Sequence, residues 1–284
     1  MTVLAPPVFT ALLVLAGVFG LVIGSFLNVV VYRVPAGIPL TRESRCPNCD
    51  APVKPWQNVP VVSWLVLRGR CGNCRAPISA RYPLVELTTG IAFVGVVWMF
   101  LDAFGLAPLA ERPHSGWGAI AVAVVAYLYF AAISIALTLI DLDTHRLPNA
   151  IVLPSYLVAG VLFALACLLG ADWSALLRAA IGGGILYAFY FILRLIRPGG
   201  MGGGDVKLAG VVGIYLAWLG WGPLIVGAFA AFLLGGVFGL ALLLARRAGR
   251  RSAIPFGPWM LVGAWVGIIA GDTIARWYIG FFVA

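Results

Sequence analysis

Residues 117–140 read WGAIAVAVVAYLYFAAISIALTLI, an uninterrupted run of 24 residues without a charged side chain. An α-helix needs about 20 apolar residues to cross the hydrocarbon core of a bilayer. The run is followed at once by Asp141 and, two residues later, by Asp143. This stretch therefore predicts a transmembrane helix that carries carboxylates at one end.

Similar apolar runs recur along the chain of 284 residues, of which 62% are hydrophobic and 10% charged. Because soluble domains have about 25% charged residues, this composition predicts an all-α, polytopic membrane protein with about eight transmembrane helices. The run at 208–219 is short and only the turn around Gly220 separates it from the next, so seven spans remain an alternative. We find no internal repeat at a fixed period. The apolar runs cover residues 8–31, 84–101, 117–140, 150–170, 176–196, 208–219, 222–245 and 257–281.

The net charge of +9 has two possible explanations, binding of nucleic acid or orientation of the helices in a membrane. The segment from Arg33 to Arg81 holds seven arginines and Lys54 against only Glu43 and Asp50. Alternating the eight spans across the bilayer places 16 of the 19 basic residues on the side of this segment. Since Lys and Arg are enriched in cytoplasmic loops, we expect this segment to be cytoplasmic, both termini to lie outside, and no nucleic acid partner. The first apolar run is too long for a cleaved signal peptide and predicts a retained helix.

Two cysteine pairs lie in this basic segment, Cys46-Pro-Asn-Cys49 and Cys71-Gly-Asn-Cys74, with 21 residues between them. This spacing is close to that of zinc ribbons, and four thiolates around one ion form a closed, structural site. Disulfides and a redox dithiol are the alternatives, but a cytoplasmic location argues against stable disulfides. The sequence thus predicts a small cytoplasmic zinc-binding loop domain, whereas Cys167 is expected to be a small buried hydrophobic side chain.

Ionisable side chains at the edge of a membrane span are costly and mark candidate functional sites. Asp141 ends the third apolar run, Asp205 follows three glycines before the sixth, and the topology puts both at the cytoplasmic face. Neighbouring carboxylates cannot both ionise easily, so one can act as general acid and the other as general base. This favours an aspartic peptidase. A helix cap at Asp205 and an acid that relays protons in a transporter are the alternatives. Asp143 points to another helix face and is not expected to be catalytic.

Over nearly its whole length the chain resembles the type IV prepilin peptidase family. The resemblance is carried by Gly24-Ser-Phe-Leu-Asn-Val-Val-Val-Tyr-Arg33, the paired cysteine motifs, Ile78-Ser-Ala-Arg-Tyr-Pro-Leu-Val-Glu86, the Asp141 segment ending in Pro148-Asn149, Gly202-x-Gly-Asp205-Val-Lys207 and Ile254-Pro-Phe-Gly-Pro258.

This resemblance implies a bifunctional enzyme of the bacterial inner membrane. Asp141 and Asp205 match the family's catalytic aspartates, and the substrate would be a prepilin or type II secretion pseudopilin, cut after Gly on the cytoplasmic side. A methyl group from S-adenosylmethionine would then pass to the new N-terminal amine, an activity that the family associates with the cysteine-containing region. A peptidase without methyl transfer and a non-enzymatic membrane scaffold stay as alternatives. Asn28, Arg81 and Glu86 are polar candidates near this face, a structural role in anchoring the cysteine loop to the helices is the alternative, and they stay unassigned.

The same resemblance suggests a division of the chain by function. Residues 1–32 would be the first transmembrane helix, residues 33–83 the cytoplasmic loop associated with methyl transfer, and residues 84–284 the transmembrane peptidase domain.

Overall fold

The computed structural model describes residues 6–101, 116–197, 201–245 and 255–283. Outside these ranges lie four of the basic residues predicted to be cytoplasmic, Arg246, Arg247, Arg250 and Arg251. In the described residues the helices are α1 (Pro6–Ala36), the short α2 (Val62–Val66), α3 (Arg81–Leu101), α4 (Trp117–Thr144), α5 (Asn149–Leu168), α6 (Trp173–Ile196), α7 (Gly203–Leu219), α8 (Trp221–Leu244) and α9 (Gly257–Val283), with a single 3₁₀ turn at Pro55–Asn58.

Seven of these helices are long and apolar enough to cross a membrane. The exception among the long helices is α7, whose 17 residues extend about 26 Å at 1.5 Å per residue. The prediction of an all-α, polytopic membrane protein is therefore confirmed, with seven candidate spans in the described residues against the eight expected, and α7 as the shorter helix that accounts for the difference. The break at Gly220 separates α7 from α8, so the two are distinct helices in the described part of the chain.

The chain divides into two compact units, one of Met1–Ala107 with Leu128–Ala136 and the other of Pro108–Tyr127 with Leu137–Ala284. In the first unit α1 packs along α3. Glycines permit the close approach, because a Cβ atom added to Gly20 would lie 2.8 Å from the Cα of Gly90. Small residues at such crossings let membrane helices approach through their backbones.

The cysteine loop of the first unit is fastened to both of these helices. The buried guanidinium of Arg33, near the end of α1, donates to the carbonyl oxygens of Leu40 and Arg42 at 2.9 and 2.5 Å. From α3, Glu86 accepts the N–H of Val61 in the loop at 2.7 Å, and Asn28 of α1 donates to the carbonyl of Tyr82 in α3 at 3.2 Å. Glu86 thus anchors the loop, and Asn28 joins the two helices.

In the second unit α7 packs against α5, α6, α8 and α9, and most of its side chains are buried. Arg178 of α6 donates to the carbonyl oxygens of Ala217 and Trp218 at 2.6 and 2.7 Å. These carbonyls belong to the last turn of α7, where a helix leaves its acceptors without partners. Arg178 therefore caps the C-terminal end of α7.

Candidate functional site

Asp141 lies in the last turn of α4 and is only 4% exposed. Its Oδ2 accepts the N–H of Gly257, the first residue of α9, at 3.1 Å. The helix ends just beyond it because His145 adopts a left-handed conformation (φ 51°) and donates its N–H to the Asp141 carbonyl. The start of α9 therefore holds the carboxylate, while His145 ends α4 by bonding to the main-chain carbonyl of the same residue.

Asp205 is the third residue of α7 and is partly exposed. Its Oδ2 accepts the N–H of Gly202, the residue that precedes the helix, at 3.0 Å. A carboxylate in this position satisfies a backbone donor and interacts favourably with the positive end of the helix dipole. The capping role that the sequence offered as an alternative is thus observed, and it does not exclude a chemical role for the same side chain.

The fold brings the two carboxylates close enough to interact electrostatically. Leu147, in the turn between α4 and α5, fills the space beside them: a Cβ added to Gly204 would lie 2.8 Å from its Cβ, and one added to Gly257 3.4 Å from its Cδ1. Nearby, the Nζ of Lys207 donates to the Oδ1 of Asn149 at 3.0 Å. The Asp141 and Asp205 motifs therefore meet at one place, while Asp143 lies exposed on α4.

In each of the two aspartates a main-chain N–H engages only Oδ2, and Oδ1 accepts no hydrogen bond from the described part of the chain. Each side chain is thus oriented and keeps one oxygen for chemistry. Two carboxylates within electrostatic reach favour a state in which one is protonated and the other ionised. Such a pair can take a proton from water and give one to a carbonyl oxygen.

Sequence reasoning missed two residues beside this pair. The main chain of Gly257 holds Asp141, but its motif gave no hint of that contact. Tyr190 of α6 is 2% exposed, interacts electrostatically with Asp205, and packs its ring against Phe232 and Phe256. No signal in the sequence distinguishes Tyr190 from the other aromatic residues of these helices.

The four predicted metal ligands, all in the first unit, come together in the cysteine loop. The Sγ atoms of Cys46, Cys49, Cys71 and Cys74 all lie within 4.8 Å of one another, and those of Cys46 and Cys74 are 3.9 Å apart. Tetrahedral coordination with metal–sulfur bonds of about 2.3 Å separates the sulfurs by about 3.8 Å. The arrangement fits one ion in a closed site of four sulfurs, and Cys167 is a buried side chain of α5.

The two halves of this centre form a short repeat, which corrects the expectation of a chain without internal repeats. Arg45–Val53 reads RCPNCDAPV and Arg70–Ile78 reads RCGNCRAPI. Each half makes the same main-chain bonds, from Cys46 N to Ala51 O at 2.9 Å and from Cys71 N to Ala76 O at 2.8 Å. Each also has a residue with positive φ after its second cysteine, Asp50 and Arg75. The site is therefore a pair of equivalent knuckles.

The protein environment favours thiolates at three of the four positions. Hydrogen bonds from backbone N–H groups lower the pKa values of Cys49, Cys71 and Cys74. For Cys46, the backbone N–H groups of Asn48 and Cys49 also lower the pKa. Desolvation and thiol hydrogen bonds to Cys71 and Cys49 outweigh them and leave the pKa raised. Four thiols this close cannot all ionise unless a cation balances them, which agrees with a metal-binding role.

The asparagine inside each knuckle donates to a sulfur of the opposite knuckle. Asn48 Nδ2 lies 3.6 Å from Cys74 Sγ, and Asn73 Nδ2 lies 3.6 Å from Cys49 Sγ. Such outer donors orient ligands, and their removal typically lowers metal affinity by about 10 to 100-fold. We predict that Asn48→Ala weakens metal binding by about this factor and speeds alkylation of Cys74, whereas Asn73→Ala speeds alkylation of Cys49.

Chelator competition followed by mass spectrometry of the alkylated peptides measures both effects. Each variant serves as the control for the other, because a general loosening of the loop would expose all four cysteines alike. Equal acceleration at Cys49 and Cys74 in both variants would contradict a crosswise role for the asparagines.

Comparison with known proteins identifies the family. Residues 18–100 match the bacterial peptidase A24 N-terminal domain, and residues 128–240 match the type IV leader peptidase family. The chain is 37% identical over 293 residues to the prepilin leader peptidase/N-methyltransferase of Aeromonas hydrophila, with 93% of each chain covered. The protein of that name from Neisseria gonorrhoeae is 37% identical, with 92% of each covered, and that from Pseudomonas aeruginosa 33%, with 92% of this chain and 91% of the relative covered. No solved structure matches the chain. The two family domains match in order, and the relatives align along more than nine tenths of the chain, in agreement with the motifs and the helices. This chain therefore belongs to the type IV leader peptidase family.

Proposed function

We propose that this protein is a membrane aspartic endopeptidase that removes the leader peptides of type IV prepilins or type II secretion pseudopilins, and that it then N-methylates the new N-terminus. The observation that carries the proposal is the pair formed by Asp141 and Asp205, each held by one main-chain N–H and within electrostatic reach of the other. Relatives named prepilin leader peptidase/N-methyltransferase supply the substrate class and the second activity.

The chemistry needs only this pair and one water molecule. The ionised aspartate takes a proton from water as the water oxygen attacks the carbonyl carbon of the Gly before the cleavage point. The protonated aspartate gives its proton to the carbonyl oxygen. The tetrahedral intermediate then collapses: the C–N bond breaks, the leaving amine takes a proton from the first aspartate, and a hydroxyl of the intermediate returns a proton to the second aspartate as the carboxylic acid forms. The pair thus ends the cycle with one proton, as it began.

The cysteine cluster would hold structural zinc, because four sulfurs leave no coordination position for substrate or water. S-adenosylmethionine would supply the methyl group, and the amine released by cleavage would accept it. In this proposal residues 1–32 form the first helix, residues 33–83 the loop associated with methyl transfer, and residues 84–284 the peptidase domain. The distribution of basic residues supports a cytoplasmic position for the loop and the aspartate pair in the inner membrane.

The proposal is tested with purified protein in lipid, a prepilin-like substrate with a Gly-Phe junction, and S-adenosylmethionine. We expect mass spectrometry to show one cut after Gly and a mature chain heavier by one methyl group. A substrate in which Val replaces this Gly is the matched control and should remain intact. Cleavage without methylation would limit the protein to a peptidase, and no cleavage of several prepilin-like substrates would overturn the proposal.

The contact between Gly257 and Asp141 leads us to predict that a side chain at position 257 impairs cleavage. A Cβ added to Gly257 would lie 2.6 Å from Oδ2 of Asp141, so Gly257→Ala must displace the carboxylate or the start of α9. A displacement of about 1 Å in a reacting group can reduce a rate by about 10²-fold, and we expect a loss of cleavage of this order. Gly184→Ala is the matched control, since a Cβ there meets no atom within 4 Å. Equal activity of both variants would contradict the assigned role of Gly257.

A further inference from the structure

The cysteine loop carries an exposed apolar surface between its two knuckles. The 3₁₀ turn Pro55–Asn58 and α2 present side chains that the described part of the chain leaves exposed, with Leu65 61% and Val66 69% exposed. Apolar side chains grouped in this way on a small polar loop indicate an interaction site rather than a free surface. We call the group the apolar strip, and its members are Trp56, Val59, Val62, Leu65 and Val66.

Glu86 fixes the position of this strip along the axis of α3. Its Oε2 accepts the N–H of Val61 at 2.7 Å, and its side chain is buried. Glu86 is the sixth residue of α3, inside the candidate span Arg81–Phe100. It therefore lies about 7.5 Å along the helix from the first residue, at 1.5 Å per residue. Because this span only just matches the hydrocarbon thickness of about 30 Å, we expect Val61 to lie close to the membrane boundary.

The chain at this point is held in one strained conformation. Val61 has φ 60° and ψ −50°, and the N–H of Val62 bonds to the carbonyl of Pro60 at 2.6 Å. This is a γ-turn, which is rare and strained for a β-branched residue. Such strain persists only where surrounding contacts determine the conformation. Those contacts are the bond to Glu86 and the one from Trp64 Nε1 to the carbonyl of Ile78, at 3.1 Å. The apolar strip is thus presented in a fixed position.

The exposed charges closest to the strip in sequence are basic, and the acidic Glu86 beside Val61 is buried. Between residues 51 and 85 the chain has five basic residues and no acidic one. Of these, Lys54, Arg68 and Arg70 lie next to the 3₁₀ turn and α2 and are exposed. Basic residues near the surface of an anionic membrane contribute about 1 kcal/mol each to binding. Apolar and aromatic side chains rimmed by lysine and arginine are typical of segments that lie in the membrane interface.

We propose that the apolar strip of the cysteine loop inserts into the boundary between headgroups and acyl chains of an anionic bilayer. The loop is held to α3, whose Leu84 and Ile91 are exposed apolar side chains of a candidate membrane span. The loop is therefore a membrane-associated domain. Glu86 holds it to α3, and the side chains of the apolar strip hold it to the bilayer. This inference rests on the membrane-spanning helices and does not depend on the proposed peptidase activity.

Photo-crosslinking of the full-length protein in phosphatidylglycerol nanodiscs tests the proposal. The photoreactive residue p-benzoylphenylalanine replaces Val66, Leu65 or, as the matched control, Asp50, whose side chain is 81% exposed on a knuckle. Only samples that retain one zinc per chain are compared. We expect lipid adducts at 65 and 66 to exceed those at 50 by at least fivefold, and to fall severalfold in Arg68→Gln/Arg70→Gln. Adducts to protein, or lipid adducts no more frequent than at 50, would overturn the proposal.

Tryptophan fluorescence provides a second measurement without an unnatural residue. The emission that Trp56→Phe removes from the spectrum belongs to Trp56. We expect lipids brominated near the headgroup to quench this component and aqueous iodide to quench it weakly. Stronger quenching by iodide than by the brominated lipids would place Trp56 in water and contradict insertion.

Discussion

Asp205→Asn is expected to leave the protein folded while lowering prepilin cleavage by about 10³-fold or more. The amide oxygen of asparagine can still accept the N–H of Gly202, which Asp205 Oδ2 accepts at 3.0 Å. The substitution therefore keeps the start of α7 and removes only the ability to carry and exchange a proton. Initial cleavage rates and the thermal unfolding temperature, measured on the same preparation, report the two roles separately.

Two further variants complete this test. Asp143→Asn makes the same chemical change two residues from Asp141, at an exposed position of α4, and should cut at the wild-type rate. Asp205→Ala removes the cap as well and should cost about 1 kcal/mol in stability. If Asp205→Asn cut normally while Asp205→Ala unfolded, Asp205 would be a cap and nothing more.

Cys71→Ser is expected to abolish metal binding and to unfold the cysteine loop. Zinc bound by four sulfurs contributes about 10–16 kcal/mol of apparent binding free energy. The loop has little buried side-chain surface of its own to replace this stabilisation, since its 3₁₀ turn and α2 contain no buried residue. Metal analysis should show about one zinc per chain in the wild type and almost none in the variant. Limited proteolysis should then cut within residues 45–78.

The matched control for this variant is Cys167→Ser, which alters a buried thiol of α5 that is not part of the cluster. It should keep its zinc and its resistance to proteolysis. Because the aspartate pair lies in the other unit, we expect Cys71→Ser to retain cleavage and to lose methyl transfer. A Cys71→Ser protein that kept a full complement of zinc would show that the four sulfurs are not the metal site.

Hydropathy predicted that the long helices exist, but it misplaced the ends of some of them, because side-chain contacts extend these helices beyond the apolar runs. The first helix continues beyond Val31 to Ala36 because Arg33 belongs to the helix and directs its guanidinium to the loop carbonyls. The seventh helix begins at Gly203, not near residue 208, because Asp205 caps its first turn although the glycines before it favour a loop. Composition alone cannot reveal such contacts.

The cysteine spacing predicted which four sulfurs meet, since both pairs are local motifs and a metal site joins them. The two knuckles are more alike in structure than in sequence, since the copies differ at Pro47 and Gly72, at Asp50 and Arg75, and at Val53 and Ile78. The meeting of Asp141 with Asp205 depends on how α4, α7 and the start of α9 pack, and Gly257 reaches Asp141 across 116 residues of sequence. No spacing rule encodes contacts of that kind.

The central claim is that Asp141 and Asp205 act as one unit in cleavage. The most direct measurement compares initial cleavage rates of the wild type, Asp141→Asn, Asp205→Asn and the double variant on one Gly-Phe substrate, by mass spectrometry. We predict that all three variants fall to the same background, because losses from residues that act together do not add. Substantial cutting by either single variant, or a double variant slowed by the product of the two single losses, would contradict the account.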